Sequence, residues 1–453
     1  MDLKSLIHKY SMSGPRYTSY PTAPQWTADV THDQYESHLG GDQVQDRRNM
    51  GLYIHLPFCE SLCYFCGCNI QITSDKSRSH PYVNAVTKEL SLVSAKLKSR
   101  CQLSQIHWGG GTPTFLSLDE IQRLYEVIQQ EFDIDPDADI SIEVDPRVTS
   151  EEQLALLADL GFNRISLGVQ DFAHKVQKAI NRIQPEEMTR KMLEQCRKLG
   201  FKGINFDLIY GLPFQSLSSF EKTIDSVIAM RPSRIALYNY ARLPEMLKHQ
   251  VILEKFPMPE AEERVDIFLM AYEKLSAAGY GAIGMDHFAT RDDELFSAID
   301  RGELYRNFMG YVAKKSGDLL GVGVSAIGEV GGGFFQNEKK VQAYEQKIGR
   351  GELTTVRGKF LSDDDKQRKW LIQKIMCQFE IPFAGFKKKF GISFEEKFAD
   401  VLAELPEFES DGILKSVATG YEVTELGRMF VRNVAMKFDA YLQKSPVTYS
   451  KTV

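Results

Sequence analysis

The sequence predicts an α/β fold built on parallel strands, on three observations. Between Gly51 and Ala241, six short apolar runs alternate with segments of helical spacing, the pattern of repeated β-α units. Several runs, such as Gly203-Ile204-Asn205-Phe206-Asp207-Leu208-Ile209, are apolar enough to be covered by helices rather than half-exposed. Polar and glycine-rich residues collect at the carboxyl ends of the runs, where parallel α/β folds place their chemistry.

At 453 residues the chain is long enough for two or three domains. Its net charge of -6 gives no footprint for bulk nucleic-acid binding. No apolar run is long enough to span a bilayer, and Met1–Tyr10 lacks the apolar core of a signal peptide, so a cytosolic protein is expected. Seven cysteines in a reducing compartment suit metal binding or catalysis better than cross-links.

In chain order, residues 1–50 read as an arm. Gly14-Pro15-Arg16-Tyr17-Thr18-Ser19-Tyr20-Pro21-Thr22-Ala23-Pro24 carries three prolines and a glycine, which forbid a regular helix there. The stretch is either packed over the surface or a lid with Arg16 and the tyrosines facing an anionic substrate. Strands are expected at 51–57, 104–109, 139–145, 164–171, 203–210 and 233–240. Helices are expected around 80–98, 118–131, 150–160, 174–199 and 216–230. Residues 259–279 read as a further helix and Tyr280–Ala289 as strand and loop, with His287 beside Asp286 as a candidate acid/base pair or a structural hydrogen-bonder. Leu319–Gly328 is small and glycine-rich. Beyond about 350 helical patterns dominate, at Asp363 to Phe379 and Phe394 to Leu405, with a turn at Asp411-Gly412 and Thr424 as a candidate cap.

The first strand runs through Pro57 into Cys59-Glu60-Ser61-Leu62-Cys63-Tyr64-Phe65-Cys66-Gly67-Cys68. Three thiolates at C-x3-C-x2-C spacing on one loop suit an iron–sulfur cluster. A structural zinc site wants a fourth ligand, usually from a second pair, but Cys101, Cys196 and Cys377 are isolated. Cys68 reads as a fourth ligand, a buried small residue or a working group; its one-residue separation from Cys66 favours the last. After the second strand, Gly109-Gly110-Gly111-Thr112-Pro113 is neither a P-loop nor a dinucleotide fingerprint. Further strand ends carry Glu143 with Asp145, Gln170 with Asp171, and Asp207, and Arg182 follows the fourth; each alone is a candidate cap or turn residue.

C-x3-C-x2-C with an aromatic residue before its third cysteine resembles the radical S-adenosylmethionine (SAM) superfamily. The longer run through Cys68 resembles, within it, the oxygen-independent coproporphyrinogen III oxidases. The resemblance implies a partial (β/α)6 barrel: an arm or lid at 1–50, the barrel and its extension at 51–350, and a small, mainly helical domain at 351–453. It implies a [4Fe–4S] cluster on Cys59, Cys63 and Cys66, with SAM on the open iron. Tyr53, Phe65, Gly110, Gly111, Thr112, Glu143, Gln170, Arg182, Asp207 and Ala241 become expected SAM contacts, with Arg182 a candidate partner of the SAM carboxylate. Ile327 would touch a second SAM; Cys68 and Tyr53 would be working residues. The implied reaction uses a 5′-deoxyadenosyl radical to convert two propionates of coproporphyrinogen III to vinyl groups, giving protoporphyrinogen IX in haem biosynthesis. A monomer is expected, with an electron donor and a terminal acceptor the sequence does not identify. Arg16, Arg242, Arg291 and Arg306 are candidates to meet the substrate carboxylates. The alternatives are a haem-binding chaperone of the same superfamily and a paralogue acting on another tetrapyrrole. One departure stands out: Met309 occupies a position that is usually glutamine in these oxidases, which trades an amide for a weakly accepting thioether.

Overall fold

The computed structural model describes residues 2–42, 44, 46–442 and 449–452. Six parallel strands run in chain order across one sheet: β1 (Met50–Leu56), β2 (Gln102–Gly110), β3 (Asp133–Val144), β4 (Arg164–Gln170), β5 (Gly203–Tyr210) and β6 (Arg234–Asn239). All six expected strands are present, and the six-unit partial barrel is borne out. Strand alternation sorts the side chains. His107, Ser141, Glu143, Ser166, Asn205 and Asp207 line the bore, while Trp108, Leu167, Phe206 and Leu208 are fully buried among the core side chains.

The crossover helices start where the sequence supplies caps. Ser117 with Glu120, Ser150 with Gln153, and Ser216 with Ser219 form capping boxes at the heads of Leu118–Glu131, Glu151–Asp159 and Leu217–Met230. The helix expected over 174–199 is two helices, His174–Ala179 and Glu186–Lys198. Asn181 turns left-handed (φ 56°) and Pro185 precedes the second helix, so the chain breaks between them.

Among the described residues the sheet has twelve strands, because both edges are extended. Leu319–Val322 adds parallel to β1, followed outward by the antiparallel strands Ile327–Val330, Gly333–Asn337 and Thr355–Phe360. At the other edge the hairpin Tyr280–Gly284/His287–Thr290 pairs with β6. The expected boundary at 350 therefore falls inside the main sheet, since Thr355–Phe360 is its edge strand.

The arm packs over the surface, one of its two expected forms, and carries two helices besides. Leu3–Tyr10 and His32–Leu39 are helices, each with a side-chain N-cap from Asp2 and Thr31; the proline-rich stretch between them is not. Its tyrosines turn into the protein. Tyr17 and Tyr20 are buried; the Tyr17 hydroxyl donates to Asp439, and the Tyr20 oxygen accepts from the Ala440 amide. The C-terminal region is helical but also holds a three-stranded antiparallel sheet of Glu380–Pro382, Leu414–Val417 and Gly420–Val423, with no counterpart in the sequence reading. Thr424 does cap: its oxygen accepts from the Gly427 amide at 2.9 Å.

Candidate radical SAM site at the carboxyl ends of the strands

The cysteine loop leaves β1 and is held over the barrel mouth by backbone bonds. The Gln71 amide donates to Pro57 O at 2.7 Å, Thr73 to Cys59 O at 3.0 Å, and Thr112 to Phe58 O at 2.8 Å. The glycine run permits this approach. A Cβ on Gly111 would lie 2.6 Å from the Pro57 carbonyl carbon, and one on Gly110 (φ 112°) 2.5 Å from the His55 ring. The run is needed as much to seat the cysteine loop as to admit a ligand.

Cys59, Cys63 and Cys66 line one cavity of about 170 Å³ with Cys68, Phe65, Gly110, Gly111, Thr112, Glu143, Gln170, Arg182 and Asp207. The sulfurs of Cys59, Cys63 and Cys66 each have a donor nearby. Thr112 Oγ1 is 3.5 Å from Cys59 Sγ, the Arg147 and Arg182 guanidiniums are 3.6 and 3.7 Å from Cys63 Sγ, and the Cys68 amide is 3.5 Å from Cys66 Sγ. The Cys68 thiol, donating to Cys66, pulls Cys66 down to about 7; that same bond pushes Cys68 up, and burial pushes Cys59 up to about 11. Cys68 remains solvent-accessible through the cleft. Among the described residues no three His, Cys, Asp or Glu side chains close on a single-ion position. Three thiols around a cavity of this size, with N–H and O–H donors behind them, fit a multi-atom thiolate-bound cluster.

The rest of the cavity wall is charged. Glu143 accepts from the Gly110 amide at 2.9 Å and lies 3.4 Å from His107 Nε2; burial pushes its carboxyl up, but these partners hold it below its usual range. Asp207 accepts from Ser166 at 2.9 Å and Asn205 at 3.0 Å, and burial raises it to about 6. Arg182 is already engaged. Its Nη1 meets Asp145 at 2.8 Å and its Nη2 donates to Gly168 O at 2.7 Å, while Nε is buried without a partner. Arg147 grips the same Asp145 at 2.6 Å. The sequence reading passed over Arg147, whose signal was a basic residue two positions after the end-of-strand Asp145.

Three expected contacts are not among the residues lining this cavity. Tyr53 sits on β1, stacked on His107 at 5.8 Å, with its hydroxyl 2.9 Å from His55 Nδ1. His55 Nε2 faces the Asn69 carbonyl at 2.8 Å, so Nε2 carries the proton and Tyr53 donates to Nδ1. The exposed Ala241 offers its carbonyl to Gln250 Nε2 at 3.2 Å, and Ile327 lies in the extension ladder paired with Gln336. Glu143, Ser166 and Asp207 also line a second cavity of about 190 Å³, which fills the barrel bore and includes Tyr238, His287, Met309 and Tyr311. Of the candidate arginines, Arg16 pairs with Asp286 at 2.7 Å and Arg306 donates to the Arg16 carbonyl at 3.0 Å, beside that bore. Arg242 and Arg291 are well exposed and lie apart, near Glu254 and Glu425. His287 Nδ1 lies 2.9 Å from Asp286 Oδ1, which fixes its ring at the bore wall.

The barrel and cysteine loop define a radical SAM protein, and the sequence model of the Radical SAM superfamily matches residues 53–227. The model of the HemN C-terminal domain matches residues 361–430. The chain is 42% identical over 440 residues to the oxygen-independent coproporphyrinogen III oxidase of Pseudomonas aeruginosa, covering 96% of this chain and 95% of that one. It is 40% identical over 447 residues to the Helicobacter pylori enzyme of that name, covering 98% of each. The solved structure of Escherichia coli coproporphyrinogen III oxidase (HemN), described as a radical SAM enzyme, superposes with a TM-score of 0.91 at 37% identity, over 98% of this chain and 100% of that one. The chain belongs to the oxygen-independent coproporphyrinogen III oxidase family.

Proposed function

We propose that this protein converts two propionate side chains of coproporphyrinogen III to vinyl groups without oxygen, yielding protoporphyrinogen IX for haem synthesis. The observation that carries the reading is the junction of two cavities. A three-cysteine cavity meets the barrel bore at Glu143, Ser166 and Asp207, so a substrate side chain in the bore can reach the cysteine end. Full-length relatives of that name favour this over a haem-binding chaperone or a paralogue.

As a radical SAM protein the chain uses a [4Fe–4S] cluster and SAM. When bound, they supply one-electron reduction and hydrogen-atom abstraction. Cys59, Cys63 and Cys66 would hold the cluster. The Gly110–Thr112 backbone, Glu143, Gln170 and Asp207 offer acceptors and donors to the amino and ribose groups of SAM. Arg182 can take the SAM carboxylate only by sharing its guanidinium with Asp145, and its free Nε marks the unused donor. Tyr53, kept protonated by burial, acts through His55 to fix the Asn69 carbonyl next to Cys68. Cys68 is the working thiol: accessible, and with its proton held at Sγ. Ala241 and Ile327 would contact SAM only from outside the cysteine cavity. Met309 lines the bore, where a thioether gives a soft apolar contact, so a second SAM there would bind more weakly than to an amide. Among the described residues no helix is long and apolar enough to cross a membrane; we place the enzyme in the cytoplasm as a monomer, with a separate electron donor and acceptor.

The test is an anaerobic assay of the reconstituted protein with SAM, a reductant and coproporphyrinogen III, with products read by mass spectrometry. Two successive losses of carbon dioxide and two hydrogens are expected. Tight haem binding with unchanged coproporphyrinogen would establish the chaperone instead.

A further inference from the structure

Two surface segments grip the outside of the cysteine loop. On one flank the Tyr64 amide donates to Ile180 O at 3.0 Å, and Asn181 Nδ2 donates to Leu62 O at 2.8 Å. On the other, His249 Nε2 lies 2.7 Å from Cys66 O, and Gln250 Nε2 donates to Phe65 O at 3.0 Å. Both flanks present cations to solvent. Lys178 belongs to the first, Lys248 and Lys255 to the second; all three are exposed, and none has a carboxylate partner among the described residues. Between Ala241 and Phe256 the acids are Glu254, which pairs with Arg242 at 2.6 Å, and Glu245. The same flanks expose large apolar side chains: Ile183 is 48%, Val251 44% and Met246 76% accessible. The cysteine loop is thus flanked on two sides by a collar of apolar and unpaired basic side chains, on a chain whose net charge is -6, while the loop's own exposed Glu60 is paired with Lys76 at 2.7 Å.

Free lysines around exposed apolar groups suit a transient protein partner of opposite charge, with charge setting encounter and the apolar groups the contact. We propose that this collar docks the electron donor, an acidic one-electron carrier protein, directly over the loop that holds the cluster. The exchange is a single outer-sphere transfer. The carrier loses one electron, the cluster gains it, and no covalent bond forms or breaks. The proposal rests on the reading of Cys59, Cys63 and Cys66 as cluster ligands.

The test uses the reconstituted holoenzyme and a doubly charge-reversed variant, Lys178→Glu with Lys248→Glu. Reduced flavodoxin carrying FMN is the protein reductant and dithionite the small one, and cluster reduction is followed optically in stopped flow at low and high salt. Reversal at the rim of an interface acts on association rate, so flavodoxin-driven reduction should slow roughly tenfold or more at low salt. The wild-type rate should fall with added salt and the variant's should not. Dithionite-driven reduction and SAM cleavage should match in the two proteins, which also shows that the variant is folded and loaded. Met246→Ser should slow the flavodoxin reaction without altering its salt dependence. Equal flavodoxin rates in both proteins would overturn the proposal, as would a salt-independent wild-type rate. Loss of self-association in the variant with flavodoxin rates unchanged would assign the collar to a second copy of the chain. Failure of wild-type protein to bind iron or to cleave SAM with dithionite would instead bring down the cluster reading beneath it.

Discussion

Cys66 and Cys68 show how two like residues come to differ in acidity. Cys66 is held near its working ionisation by the Cys68 proton, whereas Cys68 keeps its own. Cys68→Ser should therefore retain the full iron content and SAM cleavage but lose porphyrinogen turnover; iron loss as severe as in Cys59→Ser would make it a ligand. Asp145 is the residue on which the cationic wall depends. Burial alone would raise its carboxyl, but Arg182 and Arg147 together hold it below the usual range. Arg182→Ala leaves Asp145 with one partner and removes a charge-assisted donor, so SAM affinity should fall roughly tenfold and stability by about 1.5–3 kcal/mol. Calorimetric titration with SAM and urea unfolding read the two separately; unchanged SAM affinity with the cluster intact would take Arg182 out of the SAM site.

The helix Ser79–Lys96 ties the cysteine end of β1 to the sheet extension through two buried side chains. Tyr82 donates to His55 O at 2.7 Å and accepts from the Val324 amide at 2.8 Å. Glu89 accepts from the Gly323 amide and Asn337 at 2.7 Å each and from Tyr344 at 2.5 Å, with no cation near it, and burial raises its carboxyl to about 7. Because the folded value lies above the unfolded one, the folded protein holds the extra proton. Its contribution is fully present below about pH 4.5 and is lost as pH rises through about 7. Between pH 5 and 8 wild type should lose up to about 3 kcal/mol more stability than Glu89→Gln, at about 1.4 kcal/mol per pKa unit. Urea unfolding at the two pH values measures this, and parallel losses in both proteins would remove Glu89 from the account.

Across the whole molecule, the arm and the C-terminal region are joined at Arg432. This guanidinium is 2% exposed and donates to Gly14 O, to Pro15 O at 3.0 Å and to Lys451 O at 2.9 Å. Arg16, next along the arm, reaches the barrel edge at Asp286 and lies over the Tyr238 ring. Arg432→Met would leave several buried carbonyls without donors, at a cost of about 1–3 kcal/mol for each unsatisfied group. The expected result is faster tryptic cleavage after Arg16, with spectroscopic signals of the loaded cluster unchanged. Cleavage at the wild-type rate would mean that the arm is held elsewhere, for example by Trp26 stacked on Phe334.

What was legible in the sequence was local. Hydrophobic period places β1–β6 and most crossover helices, because strand and helix periodicity depend on neighbours within a few residues. The C-x3-C-x2-C spacing marks the candidate ligands for the same reason: three thiols on one short loop need no distant partner to converge. Hidden were the features made by residues far apart in the chain. Arg147 becomes part of the site only once Asp145 and Cys63 meet it, and Arg182 proves to be paired rather than waiting for a ligand. The arm helices depend on burial of Leu6 and Ile7 against other elements, and short helices in water are marginal without such packing. The sequence by itself determined the barrel strands, the candidate cluster-binding cysteines and the family. Only the tertiary structure decided which arginines lie beside the bore, how the arm is tied down, and that the cysteine cavity and the bore share one wall, because side chains hundreds of residues apart acquire charge partners and a common cavity only when the chain is packed.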